Sequence, residues 1–171
     1  VQAMVYGNFD VNSCAGTVFT RDPNTGEKVL FGEFLIKAQG SDSSFKDMTA
    51  VRIEKMGDFF PQLYDQFIRI AALLEKYNQD MQEIEFTIQQ GKLYMLETKS
   101  GRRTPSAAVK IAVEMVKEGL ITRATAVANL RAEDINDLVI FGIKKNEDMN
   151  PETIANFHTI LEWADEFRDM G

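Results

Sequence analysis

Cysteine, histidine and tryptophan each occur once in these 171 residues, and proline only four times. A lone Cys14 excludes an internal disulfide and suits a reducing compartment, which sets a cytoplasmic location as the expectation. One histidine, His158, excludes a His-rich metal centre. No apolar run reaches the about 20 residues that would cross a bilayer, and no basic-then-apolar leader opens the chain, so no membrane partner is expected. Basic residues are in deficit, 19 Lys plus Arg against 26 Asp plus Glu, for a net charge of -7. An acidic surface repels phosphate backbones, and nucleic acid is set aside as a partner. The familiar phosphate and nucleophile signatures are missing too: no GxxxxGK[ST], no GxGxxG after a strand, no GxSxG elbow. The chain starts at Val1 with no initiator methionine, as expected of a piece of something longer or a processed product.

What is present is ordinary globular material, 44% hydrophobic and 26% charged. The first half reads as β with one helix, the second as helix throughout. Residues 1 to 6 (VQAMVY) and 16 to 21 (GTVFTR) are β-branched and apolar and predict strands. Asp22-Pro23-Asn24-Thr25-Gly26 is a turn in which Pro23 presets φ and Gly26 supplies a permissive backbone. Residues 28 to 37 resume as a strand bent at Gly32, 39 to 50 read as a loop, and 51 to 55 as a short strand. From Phe60 the period changes: Leu63, Phe67, Ile70, Ala71 and Leu74 predict an amphipathic helix over 60–78, entered through Pro61. Residues 83–88 and 92–98 alternate strictly about Gln89-Gln90-Gly91 and predict a hairpin. After Thr104-Pro105 a helix carries Ala107, Ile111, Met115 and Val116 on one face and stops at Gly119. Further helices follow Thr122 and begin near Glu133, and Asn150-Pro151 opens a last one to about residue 169. Glu114, Lys117 and Glu118 read as a solvated helix face, and His158 as a helix-face residue. Cys14 reads as packing. The expected division is 1–100, β-rich, and 101–171, helical.

The hairpin holds the candidate site. With a three-residue loop, Gln89 to Gly91, Ile88 faces Lys92, Glu85 faces Met95 and Glu83 faces Glu97. Ile84, Phe86, Ile88, Tyr94 and Leu96 then share the core face, and Glu83, Glu85, Glu97 and Lys99 the other. A loop one residue shorter or longer would send Glu97 behind the sheet. Hard oxygen ligands beside a lysine are what a Mg²⁺–phosphate site needs, because the acids hold the metal and the cation offsets phosphoryl charge. Spacing alone equally allows a solvated outer face of an edge hairpin.

The blocks VQAMVYGN, VFTRDPNTGEK, GEFLIKAQG, DMQEIEFTIQQGKLYMLETK and GRRTPSAAVKIA, in order over roughly residues 1–140, resemble the pyruvate, phosphate dikinase family. The match is to the second half of its ATP-grasp nucleotide-binding domain and the helices that follow. The resemblance implies an α+β fold, an ATP-grasp-like antiparallel sheet with a packed helix and then an all-helical segment. It implies a phosphotransferase that uses Mg-ATP and phosphate to phosphorylate a histidine on another domain, leading to phosphoenolpyruvate. It also implies phosphohistidine and pyruvate-binding domains in the same parent, and a homodimeric parent. By this likeness Glu85 and Glu97 are the Mg²⁺ ligands. Glu83 and Arg21 belong to the nucleotide site with them, and Lys99 is its catalytic cation. Glu83, Glu97 and Lys99 stand where the family has Asp, Gln and Arg, while Cys14 and Ala15 replace a Gly and a Thr. The family's Gly-Arg-Thr-Pro stretch has no counterpart in residues 41–50. Because the resemblance covers only half of the nucleotide cleft and no phosphohistidine segment, this chain alone is expected to be inactive; the substitutions favour the alternative, a diverged, catalytically silent binding or regulatory module.

Overall fold

The computed structural model describes residues 4–39, 50–144 and 150–168. Its elements are β1 (Cys14–Phe19), β2 (Phe31–Ile36), β3 (Val51–Arg52), α1 (Met56–Phe59), α2 (Pro61–Asn78), β4 (Gln82–Gln89) and β5 (Lys92–Ser100), then four helices. These are α3 (Pro105–Lys117), α4 (Arg123–Ala128), α5 (Ala132–Lys144) and α6 (Pro151–Arg168). The strands form one five-stranded sheet in the order β3-β2-β1-β4-β5, antiparallel at every pairing. The fold is therefore α+β, as expected.

Alternation along the strands decides what each sheet face does. Cys14 and Val18 of β1, Phe34 of β2 and Ile84, Phe86 and Ile88 of β4 are all buried on one face, where they meet α1, α2 and the 3₁₀ turn Ile53–Lys55. The Phe67 ring of α2 meets Phe86 edge-on at 5.0 Å, the favoured aromatic geometry. Gly16 sits where β1 runs close against β2. A Cβ there would lie 2.4 Å from the Glu33 carbonyl oxygen, so the central strand has room for no side chain at that point.

A second core lies among α3 to α6, with Val109, Ile111, Val113, Met115, Ile160 and Trp163 at its centre. Met81 and Phe19 reach into it from the sheet, so the two cores meet along a seam. The helix ends obey their sequence signals: the Thr104 and Thr122 hydroxyls accept from the backbone N–H of Ala107 and Thr125. Pro61, Pro105 and Pro151 each open a helix. The turn after β1 is tied to the start of α3, where Thr104 donates its N–H to the Pro23 carbonyl and its hydroxyl to that of Asn24. No helix among the described residues is long and apolar enough to cross a membrane.

Several expectations are corrected. Residues 4–6 are not a strand, and 1–3 lie outside the described residues. Only Phe31–Ile36 of the 28–37 segment is strand, and a Cβ at Gly32 would lie 2.2 Å from the Thr17 carbonyl oxygen. The 51–55 strand stops after Arg52 and winds into the 3₁₀ turn, which buries Ile53 under the sheet. Of the expected loop 39–50, all but Gln39 and Ala50 falls outside the described residues.

Candidate functional site

The hairpin turns on two residues, not three. Gln89 pairs with Lys92, and Gln90 and Gly91 take positive φ values of 52° and 72°, the signature of a tight primed turn. By itself that shorter loop would have put Glu97 on the core face. A β-bulge restores it: the register shifts between Glu85 and Phe86, so Phe86 faces Met95 but Glu85 faces Glu97, leaving Leu96 as the extra residue. Met95 and Leu93 consequently join the core in place of Tyr94 and Leu96, and Leu96 is 52% exposed. Glu83 faces Lys99. The four acidic and basic residues thus share the face away from α2, through a different register.

Following the pairings across the sheet extends this face into a single row: Arg52, Glu33, Thr17, Glu85 and Glu97, one from each strand. Glu33 and Arg52 were not anticipated. Their signal lay in the pairing of β1 with β2, which a local reading of the hairpin does not reach. Arg52, Glu33 and Glu97 are exposed, while Thr17 and Glu85 are half-buried. Glu33, Glu85 and Glu97 have no hydrogen bond or ion pair to any described residue. Directly opposed carboxylates repel, so the Glu85–Glu97 pair is a standing electrostatic cost that a cation would remove. Lys99 stands one row away with its Nζ 3.3 Å from Glu83, in a half-exposed pair whose energy solvent screens heavily. Among the described residues no three acidic, histidine or cysteine side chains converge closely enough to hold a metal unaided. Two carboxylates with open positions instead match the habit of Mg²⁺, which takes one or two carboxylates and fills its octahedron with phosphate oxygens and water.

Arg21 is placed elsewhere. Its side chain is fully buried. Nε and Nη2 donate to the Glu75 carboxylate of α2 at 2.9 Å each, and Nη1 and Nη2 donate to Glu118 at 3.1 and 2.9 Å. Glu114 lies 3.6 Å from Nη1. Thr20 Oγ1 donates to Glu75 at 2.7 Å, and Lys28 Nζ to Glu118 at 2.6 Å. Burial alone would lower the Arg21 pKa, but the bonds to Glu75 and then Glu118 outweigh it and leave the guanidinium more firmly charged than usual. Glu118 is likewise pulled below the ordinary range, the raising effect of burial being overcome by Arg21 and Lys28. This arrangement corrects the reading of Glu114 and Glu118 as a solvated face: both turn toward a buried cation. Arg21 joins β1 to α2 and to the end of α3, across the seam between the two cores.

Cys14 is fully buried on the core face, and burial pushes its thiol up to about 12, so it is a packing residue as expected. Ala15 lies on the opposite face, beside Thr87 in the row next to the carboxylates. His158 is exposed on α6.

The chain is 45% identical over 139 residues to pyruvate, phosphate dikinase of Clostridium symbiosum, 44% over 139 residues to pyruvate, phosphate dikinase 2 of Zea mays, and 45% over 151 residues to pyruvate, phosphate dikinase of Rhizobium meliloti. It is homologous to a segment of the pyruvate, phosphate dikinases. In each case 81% of this chain is matched. The chain spans about a sixth of the length of these relatives, 16 to 17%. No family model matches it. The region is thus related to a transferase family, and the five-stranded antiparallel sheet with its helices is consistent with the ATP-grasp-like expectation.

Proposed function

We propose that the open sheet face is one wall of a Mg-ATP site in a pyruvate, phosphate dikinase-like parent, which phosphorylates a histidine on another of its domains on the way to phosphoenolpyruvate. The observation that carries this reading is the unpaired Glu85–Glu97 couple, set in a row of polar side chains on the sheet face away from α2. Glu85 and Glu97 would hold Mg²⁺, which supplies charge neutralisation for phosphoryl oxygens when bound. Lys99, tethered by Glu83, would offer a cation to the phosphates from the neighbouring row. Lysine does so as a point charge and without the bidentate fork of arginine. Arg21 serves this site indirectly, as the anchor that fixes β1 against α2 and α3, since its donors are spent on Glu75 and Glu118.

The division into a β-rich part, 1–100, and a helical part, 101–171, belongs to the same proposal, as do a homodimeric parent and a cytoplasmic setting. The residues that accept the phosphoryl group and bind pyruvate would lie in other parts of the parent, so this chain alone is expected to bind nucleotide weakly and to turn nothing over. In a complete parent, Glu97→Ala should abolish Mg-dependent phosphoryl transfer while leaving the fold intact. Retention of most of the activity would exclude Glu97 as a metal ligand. A catalytically silent module is the second reading, favoured by the substitutions at Cys14, Ala15 and Lys99; it predicts that no Mg²⁺ response is seen in the parent either.

A further inference from the structure

Arg102 and Arg103 follow β5 directly and play no part in the carboxylate row. They line a cleft of about 330 Å³ together with Asp80, Ser100, Asn129, Arg131 and Asp134. Asp80 and Ser100 come from the sheet side of the seam, and Asn129, Arg131 and Asp134 from the helical side. Three guanidinium groups around one small cleft are unusual in a chain of net charge -7.

The cleft is only partly neutralised. Arg103 Nη1 donates to Asp80 at 2.6 Å, and both side chains are largely buried. Arg131 donates through Nε and Nη2 to Asp134 at 3.0 and 2.6 Å, and the Asp134 residue is 4% exposed. Arg102 is exposed and has no hydrogen bond or ion pair to any described residue. Asp80 and Asp134 each hold one guanidinium, Glu133 and Asp137 also act on Arg131 through space, and Arg102 is the guanidinium left without a bond or ion pair to a described residue. The ion pair to Asp80 orients the largely buried Arg103, while the pair to Asp134 tethers an Arg131 that is still 65% exposed. Across the seam near this point, Asn129 Nδ2 donates to the Gln79 carbonyl at 2.8 Å.

We propose that this cleft is an anion site for a phosphate-class oxyanion, with Arg102 as its uncommitted donor and Arg103 and Arg131 as flanking donors. Guanidinium forks match tetrahedral oxyanions, and charge-assisted bonds of this kind are the stronger class. An anion held between Arg102 and Arg131 would join the sheet side to the helical side, so binding would stiffen the seam. The proposal does not depend on the Mg-ATP reading, because Lys99 and the carboxylates take no part in it.

The test is titration of the full chain with inorganic phosphate, pyrophosphate and AMP at constant ionic strength in chloride, followed by arginine side-chain NMR and thermal unfolding. The Arg102 and Arg103 guanidinium signals should shift saturably and the melting temperature rise. Arg102→Ala should weaken binding about tenfold, the loss of one charge-assisted contact. Lys76→Ala, which removes an exposed cation of α2 outside both sites, should leave it unchanged. Inorganic phosphate binding as tightly as AMP would assign a free ion, and tighter binding of AMP through the same Arg102 a phosphoryl group on a larger ligand. Arg131→Ala would strand Asp134, so the paired variant Arg131→Ala/Asp134→Asn provides the second test and should also weaken binding. No saturable shift with any of the three anions, or equal losses in Arg102→Ala and Lys76→Ala, overturns the proposal.

Discussion

Two clusters of Glu with a basic partner sit on this molecule, and they are opposites. Around Arg21, three glutamates close on a fully buried guanidinium, with Lys28 on the outer side of Glu118, and no buried side-chain nitrogen or oxygen among the described residues is left without a partner. On the open sheet face, Glu33, Glu85 and Glu97 lie in one row, Thr17 between the first two, and none is bonded or ion-paired to a described residue. The residue types barely differ; the environment does. A buried charge survives only if it is matched within the fold, so the Arg21 cluster is spent on holding the two cores together. An exposed row of like charges can stay unmatched at small cost because water screens it, and it remains available to a cation from outside.

This contrast can be broken from the buried side with the largest effect. Arg21→Met should destabilise the chain by about 3–5 kcal/mol in urea or thermal unfolding, because Glu75 would be left buried and uncompensated. If Arg21→Met unfolds like the parent sequence, the cluster is not structural. Phe67→Ala, which empties the core face under β4, should cost a comparable amount, about 3–5 kcal/mol. Its open-face counterpart, Glu85→Gln with Glu97→Gln, should change stability by no more than about 0.5 kcal/mol, or raise it slightly by removing repulsion. A large loss there would mean the pair is a structural element and not a vacancy for a ligand.

Acid sharpens the same comparison. The Glu118 carboxyl is depressed below its ordinary value of 4.5 in the folded state. Its contribution is therefore present above that value and is lost as pH falls through the folded pKa. Unfolding free energies of the parent sequence and Glu118→Gln should differ at neutral pH and converge in acid, a gap that stays constant being the contrary result. Lys99→Arg carries the smallest expected effect: no measurable change in stability, and equal or improved phosphoryl transfer in a complete parent.

Much of this was readable from local pattern. The helices from Pro61, Pro105 and Pro151 and the Thr104 and Asn150 starts follow from spacing and capping alone, whereas the face shared by Glu83, Glu85, Glu97 and Lys99 depends on a bulge that spacing does not show. The register was not, since a two-residue turn and a bulge at Leu96 shift the hairpin in compensating ways, and only the paired strands reveal both. Tyr94 and Leu96 were misplaced for that reason. Arg21 was assigned to the site because its FTRDP block resembles a functional motif. Its partners Glu75 and Glu118 lie 54 and 97 residues away, a separation that no local pattern records. Glu33 was missed on the same ground: it reaches the carboxylate row only through the pairing of β2 with β1.

The most direct measurement is paramagnetic broadening by Mn²⁺, used as a Mg²⁺ analogue, in the amide NMR spectrum of this chain. Broadening should centre on Thr17, Glu85 and Glu97, compete with Mg²⁺, vanish in Glu85→Gln/Glu97→Gln, and spare Arg21 and Glu118. Broadening that is absent, or that persists in the double variant, would show that the open carboxylate row is not a cation site.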